Sequence, residues 1–254
     1  MHKIDKKLDV LEIETTHTMS SMTESTFSVA VPQMKFKFLV FDVETTGLLP
    51  KGKKPPVPIS EYPHIIQLSF VIYDWMQKKV VKTYDSYIKL ENQVIPSVVT
   101  DITGITNEIC EEKGRPICEV LEKFYEAYMF CDGLVAHNID FDEKMIQIEL
   151  ERNRESLMKT APYCFMTFNS MYEKVHGIEK FCTMKKGTDI CDLYFEAKEG
   201  KKPRKKWPKL IQLYEKLFPE AEKVEGLHNS LVDVKACLRC YLKMRHNYDD
   251  TKIF

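Results

Sequence analysis

The stretch from Lys35 to Gly47, KFKFLVFDVETTG, decides how this chain is read. FKFLVF is a continuous apolar run of strand length, and it leads directly into Asp42, Val43 and Glu44. Side chains alternate along a strand, so Asp42 and Glu44 leave the same face of the sheet. Two unpaired like charges buried on one face force a pKa upward unless cations neutralise them. Hard divalent cations do this with oxygen ligands, and magnesium binds through one or two carboxylates plus a substrate phosphate. A strand that simply runs out into solvent at Asp42 is the alternative, and the D-x-E triplet alone does not choose between them. Thr45, Thr46 and Gly47 follow, a turn with two hydroxyls and a residue whose missing side chain lets another backbone approach.

Downstream, HIIQLSFVIYD (64–74) reads as a second strand and VVKTYDSYIKL (80–90) as a third, a meander opening an α/β domain. The Pro- and Lys-rich LLPKGKKPPVPISEYP (48–63) between the first two is a loop. IPSVVTDITGIT (95–106) reads as a short helix broken at Gly104. From Pro116 to Phe130, Ile117, Val120, Leu121, Phe124, Ala127 and Tyr128 recur at helical spacing. GLVAH (133–137) is a brief strand, and DEKMIQIELER (142–152) is a helix that turns Met145, Ile148 and Leu150 inward. Alternating β and α imply a partly parallel sheet. Residues 155–206 show no clear period. WPKLIQLYEKLF (207–218) fits a helix with Leu210, Leu213, Leu217 and Phe218 on one side, and residues 229–246 form a last one. Upstream, residues 1–34 mix charge with a Ser/Thr-rich stretch and are expected to form an arm outside the 35–254 domain.

Composition bounds the function. With 254 residues, 44% apolar and 30% charged, the chain is large enough to remove about 70–75% of its unfolded surface from water, and fibrous or wholly disordered readings are excluded. No window approaches the ~18 uninterrupted apolar residues of a membrane span, and charges stand where a signal peptide has its apolar core. A soluble, intracellular protein of cytoplasm or nucleus, neither secreted nor membrane-bound, is expected. The net charge of −1 argues against coating nucleic acid by electrostatics alone, while leaving a localised site open. The eight scattered cysteines suit reduced thiols. Cys237 and Cys240 form a C-x-x-C, but a structural zinc needs a second ligand pair at matching spacing, so two helix-buried thiols are expected.

Four further residues are candidates for chemistry, each with a structural alternative. Asp142 in HNIDFD (137–142) follows a strand at a helix start, where helix capping would also account for it, as it would for Asp140. Asp233 in HNSLVDVKA (228–236) is the fourth residue of a capping-box pattern begun by Ser230. His228 precedes that helix. Asn138 either bonds a substrate backbone or holds its own turn.

Taken together, FDVETTG, HNIDFD and HNSLVDVKA, in this order with ITGIT (102–106) between the first two, resemble the three motifs of the DEDDh 3′→5′ exonuclease family, which includes proofreading polymerase subunits. Asp42 and Glu44 match the first motif, Asp142 the second, and His228 with Asp233 the third. In the sister DEDDy class a tyrosine stands four positions before the last aspartate. Here Asn229 does, and His228 stands five before it. The segments CTMKKGTDICDL (182–193) and KKWPKLIQLYEKLF (205–218) are similar to stand-alone exonucleases of some large DNA viruses and phages.

The resemblance implies an α/β, ribonuclease H-like fold, a mixed five-stranded sheet flanked by helices. It also implies phosphodiester hydrolysis that releases nucleoside 5′-monophosphates with two Mg2+ (or Mn2+). Asp42 would bridge the ions, Glu44 and Asp233 complete the nucleophile-side site, Asp142 hold the other ion, and His228 take the proton from the attacking water. Thr45, Thr46, Gly47 and Leu48 would contact the terminal nucleotide. The expected partner is a nucleic-acid 3′ end, single-stranded or mismatched DNA being favoured over RNA, with a polymerase in a separate chain if the activity is proofreading. Other readings are an inactive nucleic-acid-binding module on the same fold and a phosphodiesterase for small nucleotides. The basic run KEGKKPRKKWPK (198–209) with Trp207 either steers a single strand or is a solvated loop.

Overall fold

A computed structural model describes residues 36–254 apart from 51, 53–56, 197–201 and 223. The arm expected over residues 1–34 lies outside the described residues, as do residues 198–201 of the basic run.

The meander forms as read: β1 (Lys37–Thr45), β2 (Ile65–Asp74) and β3 (Lys79–Tyr87) pair antiparallel in sequence. Two short helices follow, α1 (Ser97–Thr103) and α2 (Asn107–Lys113). Gly104 ends α1 with φ 72°, a left-handed conformation that glycine adopts without a Cβ clash. Next come α3 (Ile117–Met129), β4 (Gly133–Ala136) and α4 (Ile139–Arg152). β4 adds parallel to β1, which gives the mixed sheet.

The illegible stretch contains α5 (Arg154–Thr160), α6 (Ser170–His176), β5 (Glu179–Cys182) and α7 (Thr183–Cys191). β5 pairs parallel with β4 and completes the order β3-β2-β1-β4-β5. Residue-by-residue reading found four strands and missed this one because Glu-Lys-Phe-Cys is a four-residue edge with no alternation to detect and Glu179 and Lys180 exposed. The chain closes with α8 (Leu210–Leu217) and α9 (Ser230–His246).

Alternation along β1 divides the core. Leu39, Phe41 and Val43 pack with α3 and α4 on one face. Phe38 and Val40 pack under Val234, Cys237, Leu238 and Tyr241 of α9 on the other. β2 is buried along all ten residues, as a central strand covered on both faces should be. Asp42 and Glu44 therefore continue the α9 face, beneath that helix's first turn. Cys237 and Cys240 are buried in two separate apolar clusters, and all eight cysteines are free thiols. Among the described residues no helix is long and apolar enough to cross a membrane.

Candidate active site

Four elements meet at the end of β1. The strand delivers Asp42 and Glu44, then shifts register between Glu44 and Thr45 so that Glu44 lies opposite Gln67 and Thr45 opposite Ile65. The turn is tied down by Thr45 Oγ1 donating to Gly47 O (2.6 Å), by the Thr46 amide donating to His64 O (2.8 Å), and by Thr46 Oγ1 accepting from the His64 amide (2.9 Å). Among the described residues nothing lies within 4 Å of where a Gly47 Cβ would stand, and Leu48 is 73% exposed, so the turn faces open space.

Asp142 enters from α4. The cap of that helix is Asn138, and the Asp142 carboxylate reaches beyond its own first turn to the neighbouring strand. Oδ1 accepts the Val43 amide of β1 at 3.1 Å, and the side chain is buried. Asp140 is exposed and pairs with Lys185. Asn138 opens α4 in the left-handed conformation, φ 78°, with no capping bond from its side chain.

α9 supplies the rest. The cap is Asn229, whose side chain accepts from the Leu231 amide, rather than Ser230. Asp233 Oδ2 accepts from the His228 amide at 3.3 Å, while Oδ1 is buried without a hydrogen-bond partner among the described residues. His228 is exposed and stands at φ 70°. Glu44, His228 and Asp233 each place a ligand atom within 4.8 Å of the others.

Electrostatics bind the cluster together. Burial, reinforced by the charge of Asp233, pushes Asp42 up to about 8 despite the Ser230 hydroxyl. Burial followed by Asp42 and Asp233 pushes Glu44 up to about 9. Asp142 is held well above the usual carboxylate range, by burial first and then by Asp42. Burial raises Asp233 to about 6 against the His228 amide. Four carboxylates so placed resist simultaneous ionisation in a protein without cations. An all-oxygen set beside one imidazole, with an orphaned carboxylate oxygen, suits hard divalent cations.

Three contributors have no place in the site as the sequence alone is read, Ser230 being expected there only as a helix cap. Gln67 and Ser230 hydrogen-bond to each other beneath the carboxylates. His137 ties the second motif to the segment before α8. Its Nε2 lies 3.0 Å from Pro208 O, an acceptor only, so Nε2 donates and Nδ1 accepts from Thr183 Oγ1 at 2.9 Å. Burial lowers this ring to about 4, which keeps it neutral. The one available signal was Gln67, a polar residue inside an apolar run. Basic residues 202–206 fold back on 193–195: the Phe195 amide donates to Arg204 O and the Lys206 amide to Leu193 O. Lys205 is engaged by Asp189 (2.5 Å) and Asp192 (3.6 Å), while Tyr194, Phe195 and Trp207 stand exposed.

Comparison with known proteins gives this geometry a family. The exonuclease family RNase_T matches residues 39–241, well over half of the chain and all five site residues. The chain belongs to this exonuclease family. Its hydrolase class follows. Among curated exonuclease relatives, the 3'-5' exonuclease DinG of Bacillus subtilis is 35% identical over 121 residues, 46% of this chain and 11% of that one. The DNA polymerase III subunit epsilon of Treponema pallidum is 32% identical over 127 residues, 49% of each. The chain thus spans half or less of these relatives' own length. Solved exonucleases share the fold. E. coli Exonuclease I in complex with a dA16 oligonucleotide has a TM-score of 0.54 at 16% identity, covering 84% of this chain and 42% of that one. The nuclease domain of 3'hExo, a DEDDh family member bound to rAMP, has a TM-score of 0.54 at 15% identity, covering 85% and 94%.

Proposed function

We propose that residues 35–254 form a 3′→5′ exonuclease that removes nucleoside 5′-monophosphates from a nucleic-acid 3′ end, with single-stranded or mismatched DNA as the preferred substrate. The observation that carries this reading is the convergence of Asp42, Glu44, Asp142 and Asp233 with His228 at the mouth of one turn. The relatives named above support the polarity, being a 3'-5' exonuclease and a polymerase III subunit.

Asp42, Glu44, Asp142 and Asp233 would hold two divalent cations, Mg2+ or Mn2+. When bound, such a pair lowers the pKa of water and neutralises charge on the attacking and leaving oxygens. His228 is the general base: an exposed imidazole in a loop ahead of α9, beside Glu44 and Asp233, is placed to take the proton from the attacking water. Asp233 fixes the backbone of that loop through the His228 amide. The open turn at Thr45, Thr46, Gly47 and Leu48 receives the terminal nucleotide, with Leu48 offering an apolar surface to the base. Asn138 contacts the substrate backbone from the left-handed start of α4.

The exposed Phe195 and Trp207, with Arg204 5.8 Å and Lys206 5.9 Å from the Phe195 ring, combine stacking faces with phosphate-binding cations and receive the strand behind its 3′ end. The test is a time course on 3′- and 5′-labelled DNA and RNA of equal sequence with Mg2+, Mn2+ or chelator. Mononucleotide release from the 3′ end, faster on DNA and abolished by chelator, is expected. Internal cuts or release from the 5′ end overturn the polarity, and faster RNA turnover makes the protein a ribonuclease.

A further inference from the structure

Gln67 is fully buried in the central strand β2, opposite Glu44 on β1 and Tyr87 on β3. A buried primary amide is costly to desolvate unless both ends are bonded, and both are. Its Nε2 donates to Asp85 Oδ1 at 2.8 Å, and its Oε1 accepts from the Ser230 amide at 3.2 Å. The direction is not free. A carboxylate only accepts and a backbone N–H only donates, so flipping the amide sets like against like at both ends. Asp85 is itself steadied by Ser69 Oγ at 2.7 Å.

Ser230 opens α9, where backbone amides have no partner inside the helix. Gln67 satisfies one of these from across the sheet. Ser230 Oγ then donates to the Asp42 carbonyl at 2.8 Å, joining residues 188 apart in sequence. A directional chain thus runs from Asp85 on the exposed strand β3, through Gln67, to the helix turn between His228 and Asp233, and on to the strand that bears Asp42 and Glu44.

We propose that Gln67 is a positioning residue for the nuclease reaction: with Asp85 setting the sense of its amide, it fixes Asp233 of α9, and His228 in the loop just before it, against Asp42 and Glu44 of β1. This rests on the exonuclease reading above. No charge of its own enters the reaction, and its contribution is the register between two elements that carry the acidic cluster.

The experiment compares wild type, Gln67→Leu, Gln67→Glu, Asp85→Ala and the double variant Gln67→Glu/Asp85→Asn. It reads kcat and KM on a 3′-labelled single strand, Mn2+ affinity by calorimetry on chelator-treated protein, and melting temperature. Gln67→Leu should lower both kcat and Mn2+ affinity by about 10–100-fold with KM for DNA unmoved, the usual effect of losing an outer hydrogen-bond partner. Asp85→Ala, at an exposed site, should show the same split more weakly in a folded protein. Gln67→Glu sets two acceptors face to face and should lower kcat. The double variant restores a donor: the amide introduced at position 85 can give its hydrogen to the carboxylate introduced at position 67. That carboxylate still accepts from the Ser230 amide, and kcat should recover. Wild-type kcat and Mn2+ affinity in folded Gln67→Leu and Asp85→Ala overturn the proposal, as does a double variant no faster than Gln67→Glu at equal melting temperature. A wild type that releases no mononucleotides overturns the exonuclease reading instead, and the Mn2+ affinities then still decide the role of Gln67.

Discussion

The Asp142 carboxylate accepts the amide hydrogen of Val43 at 3.1 Å, so the second acidic motif is bonded to the backbone between the two carboxylates of the first. Asp142→Asn keeps an acceptor at this position and should fold, while losing the charge and most of the nuclease activity. Asp142→Ala leaves the Val43 amide buried and unpaired, at about 1–3 kcal/mol. Urea unfolding in chelator compares the two. Equal stability would mean that the bond contributes nothing.

Removing the His228 imidazole should leave fold and Mn2+ binding in place and lower turnover by ~10²–10⁴, the range for a lost general base. Single-turnover assays of His228→Ala at saturating DNA measure this. Wild-type rates would take His228 out of the mechanism.

The acidic cluster sets a pH dependence. Asp42, Glu44 and Asp233 have folded pKa values of about 8, 9 and 6. Unfolded carboxylates titrate near about 4. The folded state therefore binds more protons, and stability falls as pH rises from about 4 through about 9. His64 and His137, both lowered to about 4, act oppositely, but only below their unfolded value of about 6.5. Between pH 7 and 9 the buried thiols act in the same sense as the carboxylates, Cys110 being pushed up to about 11 by burial while unfolded thiols titrate near ~8.5, and the response to Mn2+ is what isolates the carboxylates. Chelator-treated protein should melt at progressively lower temperature across that window, and Mn2+ should raise the melting temperature more at pH 8.5 than at pH 7 (roughly the flanks of the Asp42 value). A flat profile, with no proton release on Mn2+ binding, would contradict it.

Lys205 is occupied by Asp189 and Asp192, so among the described residues 202–206 the cations left to meet phosphate are Lys202, Arg204 and Lys206. Neutralising Arg204 and Lys206 should flatten the dependence of DNA binding on salt, and Phe195→Ala with Trp207→Ala should weaken binding by about 1–3 kcal/mol per stacked base without changing the salt slope. Fluorescence anisotropy over a salt series separates the two. Unchanged slope and affinity would leave these basic residues a solvated surface.

Arg152 pairs with buried Glu149 and donates to the carbonyls of Tyr62 (3.0 Å) and Pro63 (3.1 Å), holding the entry to β2 beside the turn that follows β1. Arg152→Ala leaves the buried Glu149 carboxylate with the Ile65 amide and the Asn153 side-chain amide but without its cation, at up to about 3–5 kcal/mol. Urea denaturation checks this, and a loss below about 1 kcal/mol would place the pair in the class of exposed ones.

Much of the fold could be read locally. FKFLVF, HIIQLSFVIYD and the 3.6-residue period over 117–128 are properties of neighbouring residues, and each became the element expected. α4 began three residues earlier than its apolar pattern, at Ile139, because Asn138 starts the helix from a left-handed conformation that no periodicity announces. β5 was lost because an edge strand of four residues has almost nothing to alternate.

The sequence by itself determined the inventory and its order: which strand carries two acids on one face, which helices follow the other two, and that a histidine precedes the last. What each group touches was decided only by packing. Asp142 bonds a strand 99 residues away, Ser230 bonds Asp42 instead of capping its own helix, and Gln67 changes from an oddity in an apolar strand to the link between them. Periodicity arises from the geometry of a single element, whereas hydrogen-bond partners and the desolvation that shifts these carboxylates depend on atoms brought together from distant parts of the chain.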